Sequence, residues 1–232
     1  MEVLWNGVSM ENGVFRLGTD SVALAWFADF PKGSRICDLG CGSGAISLML
    51  LASDRSLQIT GIELMPEAAA LAKQNAAKNN LPFTVIEGDL RNIHEFLPAG
   101  SMDGAISNPP YFPVGSGFAA KGPLSAARSE ETCNLKQLTQ TMNRLLKTGG
   151  RAFLVHRPER LADLVWHLKN EHLEPKRIRF VRHKQESPVS LVLLEARKGG
   201  KPGLTYEQDL ILFDDEGETE EYKNMYHRTE QE

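Results

Sequence analysis

Cysteine is scarce in this chain: three residues in 232, Cys37, Cys41 and Cys133. So odd and sparse a set excludes a disulfide framework, and no second Cys/His pair completes a zinc site, so reduced thiols and no bound metal are expected. Long apolar runs are missing too. None reaches the ~18 residues that a helical membrane span needs, and the N-terminus lacks the basic and apolar regions of a secretory signal. The cytoplasm is therefore the expected compartment. Neither sign of charge prevails, with 26 Lys+Arg against 30 Asp+Glu and a net charge of −4. A whole-chain count thus gives no support to a polyanionic partner, but the distribution does. Asp214 to Glu221 carries six carboxylates, whereas Lys176, Arg177, Arg179, Arg182 and Lys184 fall within nine residues. A basic stripe can serve a polyanion while an acidic tail hides it in the sum. A charged edge strand, blunted against aggregation, explains the stripe equally well.

What is present is an ordinary globular composition, 41% apolar and 24% charged, with enough length for one α/β domain and a small appendage. Residues 34–39, 58–63, 83–87, 102–107, 151–156, the basic stripe and 189–196 read as seven strands. Helical patterns separate most of them, at 22–27, 45–51, 66–79, 134–147 and 158–171. Thr19 or Asp20 is the expected cap of the first helix, and Gly149-Gly150 the stop of the fourth. Alternation of this kind gives a doubly wound, mostly parallel sheet with helices on both faces, and the last two strands close it as an antiparallel hairpin. Residues 1–203 form the domain, and 204–232 a small C-terminal appendage whose end is expected to be disordered.

Two stretches carry the chemistry. Asp38-Leu39-Gly40-Cys41-Gly42-Ser43-Gly44 follows the first strand. Glycines there let a ligand approach the backbone, and the N–H groups at the next helix start favour negative charge. Glu63 ends the second strand 23 residues after Gly40, near the spacing at which an acid meets ribose hydroxyls in nucleotide-binding units. An NAD-binding domain must be weighed on these grounds, but Asp38 two residues before the first glycine, with the G-x-G-x-G spacing, argues against it. The second stretch is Asn108-Pro109-Pro110-Tyr111, which stops the fourth strand. Two prolines cannot continue a ladder and stiffen the exit. The result presents side-chain and carbonyl oxygens beside one aromatic ring, a surface suited to a flat group bearing an NH₂.

The glycine loop followed by Asn-Pro-Pro-Tyr resembles the class I S-adenosylmethionine-dependent amino-methyltransferases. With Phe15 to Asp20 and Ala127-Arg128, the chain resembles more narrowly the bacterial tRNA1(Val) (adenine-37-N6)-methyltransferase family. That resemblance implies a Rossmann-like sheet of strand order 3-2-1-4-5-7-6, with S-adenosylmethionine as cofactor and tRNA as partner. Gly40, Gly42 and Gly44 would cradle the methionine carboxylate, Asp38 would accept from its amino group, and Thr19 would stand at the same end. Glu63 and Leu64 would meet the ribose side, and Asp89 and Leu90 the adenine. Asn108, Pro109, Pro110 and Tyr111 would hold the target amine, and Asn108 would also border the cofactor. Arg128 in the long 111–132 connection, the stripe residues, and Lys198 and Lys201 of the glycine-rich 197–203 loop would contact RNA. Guanine-N2 methylation of ribosomal RNA and methylation of a protein glutamine share the tetrapeptide. The glutamine-amide enzymes carry a helical domain before the glycine loop, where this chain has only 37 residues before Asp38. A non-enzymatic RNA-binding module with a relic pocket is the remaining alternative.

Overall fold

A computed structural model describes residues 2–13, 17–109 and 134–226. The chain opens with β1 (Glu2–Val3) and β2 (Ser9–Met10), an antiparallel pair around a 3-10 turn at Trp5–Gly7. Helix α1 (Thr19–Phe27) precedes β3 (Arg35–Leu39), α2 (Ala45–Ser53), β4 (Gln58–Glu63), α3 (Pro66–Lys78) and β5 (Phe83–Glu87). A 3-10 stretch, Leu90–Glu95, leads to β6 (Met102–Ser107). Helix α4 (Leu135–Leu145) runs directly into β7 (Leu146–His156). A 3-10 turn at Pro158–Arg160 and α5 (Leu161–Asn170) lead to the hairpin of β8 (Leu173–Arg182) and β9 (Val189–Lys198). Then come β10 (Thr205–Tyr206), β11 (Leu210–Ile211) and α6 (Glu220–Tyr226).

From one side the sheet reads β5-β4-β3-β6-β7-β9-β8, the expected 3-2-1-4-5-7-6, with β9 alone among these seven antiparallel to its neighbours. It does not stop at seven strands. β10 and β11 both pair in parallel with β8, which makes nine among the described residues and covers the edge that the basic stripe was expected to expose. Leu210, Leu212 and Met225 are buried in the same cluster as α1 and α2, so the stretch after 204 packs into the core. The other face of the sheet is filled by α4 and α5. In α4, Leu135, Leu138, Met142 and Leu145 form one buried stripe at helical spacing, and a capping box between Asn134 and Gln137 starts the helix.

Three local expectations are corrected. Neither Thr19 nor Asp20 caps α1: the helix begins at Thr19 after Gly18, and Asp20 accepts instead from the N–H of Ser21. The fourth helix ends at Leu145 rather than at the glycines, and β7 begins at Leu146. Gly149, at φ 82°, lies inside the strand where the β6–β7 register slips between Met102 and Gly104. A left-handed glycine serves a bulge as well as a helix stop, and only packing decides between them. The 158–171 helix is split, its first turn being 3-10.

Candidate active site

The glycine loop leaves β3 at the carboxyl edge of the sheet. The N–H groups of Gly40 and Cys41 both donate to the Ile62 carbonyl, at 2.9 and 3.1 Å, which folds the loop back on β4. Glu63 completes the bracket: Oε2 accepts from Gly42 N at 2.8 Å and Oε1 from Met65 N at 2.9 Å. Gly44 turns the chain into α2 at φ 91°, and a Cβ there would sit 2.9 Å from the Phe83 ring. Among the described residues, a Cβ on Gly40 would meet nothing within 4 Å.

Asp38 is the telling residue. It is 1% exposed; Ser47 of α2 donates to Oδ2 at 2.6 Å, while Oδ1 is buried and has no hydrogen-bond partner among the described residues. Burial pushes its carboxyl up to about 7. An orphaned buried acceptor costs about 1–3 kcal/mol, a penalty that a bound cation would lift. The donor set thus fits the ammonium of a methionine group, with the first N–H groups of α2 beside it for the carboxylate.

The other expected cofactor residues line the same edge. Glu63 and Glu87 are register partners, and Gly88 N donates to the Glu63 carbonyl at 2.8 Å, so Leu64 and Asp89 leave neighbouring strand ends. Leu64 is 42% exposed, a large apolar side chain open to a ring. Glu63 is buried and its carboxyl is raised, chiefly by desolvation. Each of its oxygens takes one backbone N–H and keeps acceptor capacity for a hydroxyl. Asp89 caps the 3-10 stretch through Arg91 N at 2.8 Å and pairs with the Arg91 guanidinium, which holds its carboxyl below the usual range. The Leu90 carbonyl accepts from Thr141 Oγ1 at 3.2 Å, tying this corner to α4.

Asn108 follows β6, next to β3, and the hydroxyl of Ser107 donates to the Leu39 carbonyl at 2.7 Å. The entrances of the glycine loop and of the tetrapeptide are thereby fastened together. Asn108 Nδ2 donates to Ser21 Oγ of α1 at 3.0 Å. Thr19 stands two residues away on α1, with its hydroxyl 3.1 Å from that of Tyr226. Pro109 is described; Pro110, Tyr111, Arg128, Ala127 and the rest of 111–132 lie outside the described residues, as do Phe15, Arg16 and Cys133. His156, at the end of β7, is fully buried, accepts from Arg157 N at Nδ1, and is lowered by burial to about 4, so it is neutral near pH 7. Ser21, Ser47 and Ser107 escaped the sequence reading. A serine one residue before Asn108 and another on the inner face of α2 were the available signals.

The basic stripe is not in one place. Arg177 pairs with Glu195 and, at 2.9 Å, with Glu207, and its guanidinium lies 4.6 Å over the Phe27 ring. Arg179 makes a two-armed pair with Glu221, both arms at 2.7 Å. Arg182 pairs with Asp209 and donates to the Ser187 carbonyl. These arginines hold the 204–226 segment against β8. Lys176 donates to the Lys201 carbonyl, and Lys198 to those of Asn143 and Leu146. Lys198 is opposite Leu173, so it and Lys201 sit at the amino edge, about 30 Å from the carboxyl edge by the length of a ten-residue strand. Lys184, exposed beyond the end of β8 with a 3.5 Å pair to Asp215, is on the same edge as Asn108.

Sheet order, glycine loop and buried Asp38 define a class I S-adenosylmethionine-dependent methyltransferase, and a methyltransferase-domain family model matches residues 31–229. The chain belongs to the tRNA1(Val) (adenine(37)-N6)-methyltransferase family. A relative of that name from Porphyromonas gingivalis is 33% identical over 192 residues, 78% of this chain and 74% of the relative. Another, from Parabacteroides distasonis, is 30% identical over 183 residues, 78% and 76% of the two chains. A solved structure of a predicted O-methyltransferase from Agrobacterium tumefaciens covers 89% of this chain and 95% of its own at a TM-score of 0.73. At 21% identity that likeness speaks for the fold alone.

Proposed function

We propose that this protein methylates the exocyclic N6 of an adenine in tRNA, in the anticodon loop at the position that its relatives' name specifies. One observation carries the reading beyond family: a buried, unsatisfied carboxylate oxygen on Asp38 and the start of the Asn-Pro-Pro-Tyr stretch lie at fastened ends of adjacent strands. Bound S-adenosylmethionine supplies an activated methyl group on a sulfonium. Asp38, the glycine loop, Glu63, Leu64, Asp89, Leu90 and Thr19 hold and orient it. The chain's further task is to present the amine in line. That nitrogen is a weak nucleophile while its lone pair is shared with the ring. The Asn108 side-chain oxygen and the Pro109 carbonyl accept its hydrogens, more strongly as it turns tetrahedral and its N–H groups become acidic. Tyr111 stacks on the base, which an anticodon loop offers without melting a duplex. Neutral His156 is not needed as a base.

Lys184 and Arg128 take the phosphates near the catalytic edge, while Lys176, Lys198 and Lys201 add positive field further off. Residues 1–203 act as the methyltransferase domain and the rest as its C-terminal strap, in the cytoplasm where tRNA is processed. The test is transfer of labelled methyl from S-adenosylmethionine to unmodified bacterial tRNA, ribosomal RNA and release factor in parallel, with nucleosides identified by mass spectrometry. N6-methyladenosine in tRNA is the expected product. Label only in ribosomal RNA or release factor would replace the substrate.

A further inference from the structure

We infer that Ser21 is a positioning residue for methyl transfer, acting through Asn108 and not through the cofactor. The inference rests on the amine-methylating reading of Asn108. A planar amide with one rotatable bond to its carboxamide carbon can present either an oxygen or an NH₂ to a substrate. Only the oxygen suits an amine target; the reverse sense sets donor against donor. In this structure Asn108 Nδ2 is turned to the Ser21 hydroxyl at 3.0 Å, which directs Oδ1 to the opposite side of the amide.

Ser21 is well placed to hold that sense. It lies in the first turn of α1, where its N–H donates to the Gly18 carbonyl at 3.1 Å and to Asp20 Oδ1 at 2.8 Å. The helix itself is clamped at both ends by the chain's C-terminal part. Thr19 meets the Tyr226 hydroxyl, and Trp26 Nε1 donates to Glu221 Oε1 at 3.1 Å, the carboxylate that Arg179 grips from β8. The next three residues, Val22, Ala23 and Leu24, are buried in the core. A short hydroxyl on so fixed a backbone moves little, so it can set a side chain 87 positions away in sequence. Asp38 takes its own hydroxyl from Ser47, a different helix, so the two serines serve the two halves of the site separately.

The experiment is a double-mutant cycle on the full chain with tRNA substrate, reading kcat, KM and S-adenosylmethionine Kd. Ser21→Ala should lower kcat about tenfold, the worth of one lost neutral hydrogen bond, with cofactor Kd and melting temperature unchanged. Ser21→Thr, which keeps a hydroxyl, should restore most of the rate. Because Ser21 acts through Asn108, Ser21→Ala on top of Asn108→Ala should cost nothing further. Full activity in Ser21→Ala, additive losses in the double variant, or a loss that appears in cofactor affinity would each overturn the inference. Normal turnover in Asn108→Ala alone would overturn the amine-holding reading and this inference with it.

Discussion

Charged groups are treated in opposite ways at the two halves of the sheet. On the β8 side Arg177, Arg179 and Arg182 each meet a carboxylate, and the partners Glu207, Asp209 and Glu221 all come from the C-terminal segment. On the β3 side Asp38 is deeper than any of these arginines, yet among the described residues one of its oxygens has no donor. Paired charges explain themselves as structure. A buried carboxyl left half-satisfied keeps a desolvation penalty until something binds. The difference separates residues whose charge the fold itself satisfies from one whose acceptor it leaves unmet, though both groups look equally polar in a linear sequence.

The comparison can be strained from either side. The largest effect is expected where the two strand ends meet. Asn108→Ala should lower the transfer rate by about 10²–10³, by analogy with a lost oxyanion-hole donor, while calorimetry finds S-adenosylmethionine binding intact. Next comes Asp38→Asn, which removes a charge-assisted contact worth about 2 kcal/mol and should weaken cofactor binding roughly 30-fold. Its melting temperature without cofactor, read at about pH 8 where the wild-type carboxyl is ionised, should hold or rise, because a buried charge has gone. The smallest effect belongs to the paired side. Arg179→Ala breaks a two-armed but partly exposed pair, about 1 kcal/mol, and should lower the melting temperature by about 2–4 °C. The salt dependence of tRNA binding should stay the same, since that arginine contacts carboxylate rather than phosphate. A shallower salt slope would return Arg179 to the RNA surface.

Much of this was legible in the linear chain. The seven long strands and their order follow from alternating patterns joined to the family resemblance, because glycine and proline punctuation marks strand ends sharply. Gly40, Gly42, Gly44, Asp38 and Asn108 were legible for the same reason. The basic stripe was not, because its carboxylate partners lie up to 42 residues away and the acidic tail gives no sign of folding back on β8. Gly149-Gly150 misled because a left-handed glycine serves a helix stop and a strand bulge alike. Ser21 was invisible, since its partner is 87 residues distant and serine at a helix start ordinarily needs no further reason.

The most direct test of the account is the proton that Asp38 must lose. Before the cofactor binds, burial keeps this carboxyl protonated up to about 7. Its folded-state pKa is therefore above the unfolded one, so ionisation destabilises the empty fold as pH rises towards that value. Cofactor affinity should rise with pH over the same range, as the carboxylate becomes available to the ammonium. Titrating S-adenosylmethionine by calorimetry at about pH 6, in two buffers of different ionisation enthalpy, counts the protons exchanged. The wild-type protein should release about one proton and Asp38→Asn none. Equal affinities in the two proteins, with no buffer-dependent heat in either, would contradict this.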